Sequence, residues 1–455
     1  MKVDILVAEI GSTITKVSLF DGIKEGQPRF LGQGSAPTSI ARGDVTIGLN
    51  QAVDQLKKKF QTDSLEATES FACSSAAGGL RMSVHGLVYD MTVKAAKEAA
   101  LGAGANLHLL TAGLLTDTDI KNIRSSSLNI ILIAGGVDYG EKETALANAK
   151  LIAKQKMNTP VIFAGNIVNR EAVQKAFDIQ DQGKYLYLCE NVYPKIDQLA
   201  VEPARKVIQD VFEEHIVRAP GMEKVRSLIH QTIIPTPGAV LQAAKVLQAS
   251  LGDLLVADVG GATTDLHSVT EGSPDVQKMA LSPEPFAKRT VEGDLGVFVN
   301  RLRVIQMVGQ EKMEKDLQMP HEQLAGILAE YRPVPNEKQI PVVEYLTGLC
   351  CGVALNRHCG RFVTSFGPAG KTSIAEGKDL TNVRYFIGTG GALTRLPGGK
   401  KILSDLLVWR DPRLLLPKTP AQVLIDHDYI MAAVGAFAET YPDAAVTLLK
   451  NSFRI

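Results

Sequence analysis

Two short stretches of this 455-residue chain place a carboxylate two positions before a glycine and hydroxyl side chains just after it. They are Glu9-Ile10-Gly11-Ser12-Thr13 and Asp258-Val259-Gly260-Gly261-Ala262-Thr263-Thr264. A triphosphate needs a dense set of backbone N–H donors, and its divalent cation is usually held through water by carboxylates. Two such turns supply both. Gly11, Ser12 and Thr13 are assigned to one phosphate-facing turn, and Gly260, Gly261, Thr263 and Thr264 to the other. Glu9 and Asp258, at strand ends, are the candidates for holding hydrated Mg²⁺ and orienting an attacking water. Lys16 is either a phosphate partner or an exposed hairpin charge, and Asp265 reads as a brace for its turn. A third glycine-rich turn, Gly388-Thr389-Gly390-Gly391-Ala392, follows later.

The elements that must position these residues repeat. Aligned without gaps, Ile5–Phe20 and Leu254–Val269 share five identities, including both turn glycines and Thr15/Thr264. Each copy reads as an apolar strand, an acidic-x-Gly turn and a second strand, which is a β-hairpin. Between the copies, apolar strands at 130–134, 160–164 and 184–189 alternate with helical stretches at 144–156 and 170–177. That alternation predicts a small parallel sheet covered by helices. The segment GGVDYG at 135–140 lacks the G-x-G-x-x-G spacing of a dinucleotide site and is read as structural. A helix at 235–248, opened by prolines, leads into the second hairpin. The expected division is a first half at 1–245, with an α/β subdomain at about 105–215, and a second half at 246–455. The second half is expected to be largely helical after its hairpin, with a strand at 385–388 and a helical end from Tyr429 to about Leu449.

Composition narrows the function classes. Lys plus Arg and Asp plus Glu each number 49, so no global field favours nucleic acid or anionic lipid. With aromatic residues at 5%, no stacking platform for single strands stands out. Five irregularly spaced cysteines fit a reducing compartment. The apolar N-terminus is interrupted by Asp4 and Glu9 and reads as a strand, and the chain has no stretch of about 18 apolar residues. The expectation is a cytoplasmic protein without a nucleic-acid or membrane partner.

Several other motifs invite chemistry. SFGPAGKT at 365–372 has Ser365 where a Walker loop requires Gly, and a turn after a short strand is the better reading. Cys350 and His358 on one helix would stand about 12 Å apart, too far for one Zn²⁺, so Cys350, Cys351, His358 and Cys359 are read as helix residues. Cys73 is read as a small residue in a tight turn, and Asp426, His427 and Asp428 as the cap of the terminal helix. Glu292 and Asp294, beside a glycine, are further candidates for contact with nucleotide, metal or the attacking water.

The order EIGSTITK, DVGGATTD and GTGGA resembles the phosphate-1, phosphate-2 and adenosine motifs of the actin, heat-shock ATPase and sugar-kinase superfamily. The resemblance implies a duplicated, two-lobed α/β fold that clasps ATP and Mg²⁺, here with an α/β insertion in the first half. It also implies that Gly388, Thr389, Gly390 and Gly391 approach the cofactor at its adenosine end. The first motif departs from the pattern in having Glu9 where Asp is usual. FACSSAAGGLRM (71–82), LIAGGVDYG (132–140), TVEGDLG (290–296), LNRHCG (355–360) and DHDYIMAAVG (426–435) look like the MutL family associated with glutamate mutase, which is unrelated to the mismatch-repair protein. That family is encoded beside adenosylcobalamin-dependent mutases. The resemblance implies an ATPase that reactivates such a mutase by promoting release of damaged cobalamin. Two other functions suit the same turns: a small-molecule kinase, which needs a base aimed at a substrate hydroxyl, and a scaffold whose assembly ATP regulates.

Overall fold

A computed structural model describes residues 1–75, 79–216, 221–367, 370–408, 411–417, 419 and 421–455. The chain divides into two compact units, one of residues 1–242 and 432–445, the other of residues 243–431 and 446–455.

The first unit begins with β1 (Lys2–Ile10), β2 (Ile14–Asp21), β3 (Arg29–Pro37) and, after the helix Thr46–Lys59, β4 (Glu66–Ser74). There follow β5 (Leu80–Gly86), β6 (Ala105–Ala112), β7 (Ile130–Ile133), β8 (Val161–Phe163), β9 (Leu186–Leu188) and β10 (Ile233–Pro235). One sheet has the order β10-β4-β1-β2-β3. β1 runs antiparallel to β2 and parallel to β4, and β10 runs parallel to β4. The helix Thr46–Lys59 buries Leu49, Ala52 and Leu56 as it connects the third strand to the fourth.

The second unit repeats this plan with β11 (Leu254–Val259), β12 (Thr264–Val269) and β13 (Ala287–Glu292), the hairpin β14 (Arg361–Gly367) and β15 (Gly370–Glu376), then β16 (Tyr385–Thr389) and β17 (Gln422–Ile425). Its sheet has the order β13-β12-β11-β16-β17, with β11 antiparallel to β12 and parallel to β16. Read outward from the first strand, the two orders are the same, and a long helix, here Ile340–His358, again joins the third strand to the fourth. Duplication is thus written in the pairing as well as in the hairpins, and the fold is a duplicated α/β arrangement. What lies between the fourth and fifth strands differs. In the first unit it is a second, all-parallel sheet, β6-β5-β7-β8-β9, with buried residues packed on both of its faces.

Several local expectations are met closely. The helices at Glu143–Lys154, Arg170–Asp178 and Thr236–Leu251, and the strands β7, β8, β9 and β16, stand where periodicity puts them. Three differ. Cys73 lies in β4, opposite Glu9 and Ile234, as a buried strand residue, because β4, buried on both faces from Ser70, continues to Ser74 between β1 and β10. The C-terminal helix is two helices, Met431–Gly435 and Pro442–Phe453, the second opened by Pro442, whose missing N–H costs nothing at a first helical position. β13 appears in a stretch expected to be helical; its adjacent Lys288 and Arg289, which point to opposite faces, are buried in ion pairs with Glu284 and Asp265.

SFGPAGKT belongs to the β14–β15 hairpin, with residues 368 and 369 outside the described residues, as are 76–78 of the FACSSAAGG segment.

Candidate functional site

Each hairpin turn is closed by the same backbone bond. Gly11 N–H donates to the Ile14 carbonyl at 3.0 Å, and Gly260 N–H donates to the Thr263 carbonyl at 2.9 Å. The acidic residue and the residue seven places on are cross-strand partners in both hairpins: Glu9 faces Lys16, and Asp258 faces Asp265. Ser12 and Thr13 are exposed at the first turn, as is Gly261 at the second.

In the first unit, Lys16 Nζ lies 2.6 Å from Glu9 Oε1, and both side chains are about nine-tenths buried. Glu9 Oε2 is buried with no hydrogen-bond partner among the described residues. Removing a carboxylate oxygen from water without a partner is costly, so this atom is suited to a bound water or a hydrated cation. The turn is braced from β3's end, where the Thr38 hydroxyl donates to the Gly11 carbonyl at 2.8 Å and lies 2.9 Å from the hydroxyl of buried Thr15.

In the second unit, Asp265 is taken by Arg289, with contacts of 2.6 Å and 2.9 Å. Thr263 Oγ1 donates to the other Asp265 oxygen at 3.3 Å, so the carboxylate ties the turn to β13. Thr264 is fully buried and its hydroxyl donates to the Leu295 carbonyl at 2.8 Å. The segment after β13 grips the turn from behind: Phe298 and Val299 N–H bond the Gly261 carbonyl, and Asn300 Nδ2 bonds that of Ala262 at 2.6 Å.

The third glycine-rich turn joins the second through parallel pairing of β11 and β16, in which Asp258 is the partner of Thr389. Gly390 follows with φ of +83°, and a Cβ there would stand 2.5 Å from Asp258 Oδ1 and from the Val259 carbonyl. Only glycine fits, for both its backbone and its closeness to the carboxylate. Gly391 opens a short helix and has nothing near its Cβ position, so its backbone can be approached, whereas Gly388 is wedged against Ile425 and Leu403. Thr389 Oγ1 donates to Asp426 Oδ2 at 2.9 Å. Fully buried Asp426 also accepts from Ile430 N–H, Met431 N–H and Ser452 Oγ, capping the helix that follows. The fold therefore brings Asp258, Gly260, Gly261, Gly390 and Gly391 together within the second unit, with Thr389 behind them.

Glu292 and Asp294 flank the same turn, but each has an arginine: Glu292 pairs with Arg357, and Asp294 with Arg303 at 2.8 Å. Burial raises the Glu292 carboxyl above its usual range, with Arg357 opposing. Cys350, Cys351 and His358 lie in the helix Ile340–His358 and Cys359 ends it. Burial pushes the Cys350 thiol up to about 12, far from a reactive thiolate. Sequence reasoning passed over Arg289, whose buried guanidinium fixes Asp265; its signal was the pair of adjacent charges Lys288 and Arg289 just before the Glu292 turn.

Against known proteins, the family model described as MutL protein matches residues 5–453. Protein MutL of Clostridium tetanomorphum is 39% identical over 460 residues, covering 98% of each chain. Among solved structures, nucleotide-free acetone carboxylase has a TM-score of 0.38 at 13% identity, covering 96% of this chain and 70% of that one. Nucleotide-free diol dehydratase-reactivating factor also has a TM-score of 0.38, at 9% identity, covering 96% and 99%.

Proposed function

We propose, from the premise that this chain belongs to the MutL protein family, that it is an ATP-driven reactivating chaperone for an adenosylcobalamin-dependent mutase or aminomutase. The single observation that supports the ATPase part is the meeting of Asp258, the Gly260–Thr263 turn and Gly390 at the ends of two paired strands. The partner follows from the family, whose members are encoded beside such mutases. Homolysis in those enzymes generates a radical, and side reactions leave a tightly held cobalamin without its adenosyl group. Release then needs an input of work, which a nucleotide cycle can provide by biasing a two-state element.

Bound MgATP would supply the phosphoryl group whose hydrolysis drives the cycle. The donor set of the second unit suits it: the hard carboxylate oxygens of Asp258 for Mg²⁺ and open glycine backbone for phosphates. Gly260, Gly261 and Thr263 would bind phosphate, with Thr264 and Asp265 fixing the turn, and Gly390 and Gly391 would admit the adenosine end. Asp258 would position the cation and the attacking water. Gly11, Ser12, Thr13 and Lys16 form the corresponding phosphate-facing set of the first unit.

The test is ATP hydrolysis by the purified chain with Mg²⁺, alone and with glutamate mutase inactivated on hydroxocobalamin. Hydrolysis coupled to cobalamin release, and reduced at least a hundredfold in Asp258→Ala, is the expected result. Hydrolysis without effect on the mutase would remove the chaperone reading and leave the ATPase one.

A further inference from the structure

The inserted sheet β6-β5-β7-β8-β9 contributes none of the residues of the nucleotide turns. All its strands run parallel, so every carboxyl end lies along one edge, and the order reverses between β5 and β7. Crevices outside that edge, at the reversal, are where doubly wound sheets bind ligands. A phosphate ligand finds few donors here, because side chains of the chain itself take up backbone N–H groups along this edge. Thr92 Oγ1 accepts from Leu87 and Val88 N–H, Glu141 Oε1 from Glu143 and Thr144 N–H, and Asn166 Oδ1 from Val168 N–H.

The edge instead displays apolar side chains. Val88, Tyr89, Leu114, Tyr139, Ile167 and Val168 are all exposed in loops that leave it, as is Ile196 beyond β9. Among the described residues, the loops at the opposite edge expose one large apolar side chain, Ile179. Such one-sided exposure marks an interaction surface.

Three of these loops are knitted into a rigid frame. Asp138 Oδ1 accepts from Ile167 N–H at 2.9 Å and from Asn191 Nδ2 at 3.0 Å, and Asp138 N–H donates to the Pro194 carbonyl at 2.9 Å. Buried Asn166 accepts from Tyr139 N–H at 3.1 Å and donates to the Glu141 carbonyl at 3.0 Å. The frame holds Tyr139 at φ of +65° with its side chain outward, 78% exposed. A bulky residue in left-handed backbone is strained, and strain of this kind clusters at functional sites. An aromatic side chain has only two rotatable bonds to order and so loses little entropy on binding, as interface anchors require.

The charge around the patch selects the partner. Asp90, Glu143, Glu171, Glu190 and Asp197 are exposed there against Lys142 and Lys195, while Arg170 is turned onto the Cys189 carbonyl. An acidic rim repels nucleic acid and anionic membranes and complements a basic one.

We propose that the carboxyl edge of the inserted sheet is the surface on which the partner enzyme docks, through a protein face of apolar side chains within a basic rim, with Tyr139 as the anchor. This inference rests on the chaperone reading above. Its test measures binding of the full-length chain to glutamate mutase carrying hydroxocobalamin, alongside ATP hydrolysis without mutase. Tyr139→Asn keeps a residue tolerant of left-handed backbone, and Ile167→Ser with Val168→Ser removes the neighbouring apolar surface. Each is expected to weaken mutase binding at least tenfold while leaving the thermal midpoint and mutase-free hydrolysis unchanged. Glu143→Lys with Glu171→Lys is expected to weaken it less and to reduce its salt dependence.

Variants that bind as the wild type does, while the wild type still releases cobalamin, overturn the docking surface and leave the chaperone reading standing. A wild type that hydrolyses ATP but does not bind the mutase overturns both. Binding of phosphatidylglycerol vesicles or of DNA through Tyr139, in place of the mutase, also overturns the docking surface.

Discussion

The two hairpins share a register and a closing hydrogen bond but not a charge arrangement. In the first, Glu9 faces a lysine and pairs with it at 2.6 Å. In the second, Asp258 faces another aspartate, and the nearby arginine goes to Asp265. Counting those side chains alone, the first pair is neutral, whereas Asp258, Asp265 and Arg289 together carry one negative charge. The net negative charge of the second arrangement favours a cation more than the neutral pair of the first does. Duplication has thus kept the geometry of the turn while its two copies took on different charges. On the function proposed above, Asp258 would have the main role in holding Mg²⁺, and Lys16 that in meeting phosphate.

The largest effect expected from breaking the comparison is on the buried pair. Glu9→Gln leaves the Lys16 ammonium without its carboxylate and should cost about 3–5 kcal/mol, since removing one member of a buried ion pair strands the other. Glu9→Gln combined with Lys16→Met should recover most of that loss. Denaturant unfolding of the two single variants and the double variant measures it as a coupling energy; additive losses would mean the pair is not the unit.

The glycines give a smaller contrast. A Cβ at Gly11 would lie 2.6 Å from the Ile14 carbonyl oxygen, whereas at Gly260 the nearest atom, the Thr263 oxygen, is at 3.5 Å. Gly11→Ala should therefore lower stability by about 1–3 kcal/mol, through the clash at the turn. Gly260→Ala should leave unfolding nearly unchanged, so that any loss of ATP affinity it causes reports the turn's contact with phosphate. Equal thermal midpoints for the two variants would contradict the difference between the turns.

The smallest expected effect concerns β12. His267 is fully buried on that strand with neither ring nitrogen bonded among the described residues, and burial, with Arg289 and His358 nearby, holds its pKa well below the usual range. A base whose folded pKa is depressed contributes full stability above its unfolded value, about 6.5, and loses it as pH falls toward the folded value. The thermal midpoint should accordingly fall below about pH 6.5. His267→Leu should flatten part of that fall while changing stability at pH 8 by about 1 kcal/mol or less. An unchanged acid slope in the variant would assign the sensitivity to other groups.

What could be read from the sequence followed the range of the interactions. The hairpins at Ile5–Phe20 and Leu254–Val269 are local, and their repeat announces itself in residue types. The Asp426 cap was legible for the same reason, because the helix whose N–H groups it accepts begins a few residues later. β13 was hidden because its buried positions include Lys288 and Arg289, whose burial depends on partners that a hydropathy pattern cannot show. β10 has three residues, too few for any period to show. The approach of Gly390 to Asp258 depends on parallel pairing between strands far apart in the chain, which no local spacing encodes. Lys16 was left between a phosphate role and an exposed charge; the structure buries it against Glu9, a pairing set by hairpin register.

The most direct test of the central claim is calorimetric titration of ATP, with and without Mg²⁺, into the wild type, Asp258→Asn and the Glu9→Gln, Lys16→Met double variant. The account predicts that Mg²⁺ tightens ATP binding at least tenfold in the wild type, that Asp258→Asn abolishes this gain, and that the double variant keeps the gain while binding ATP more weakly. Mg²⁺ dependence that survives in Asp258→Asn and disappears in the double variant would contradict it.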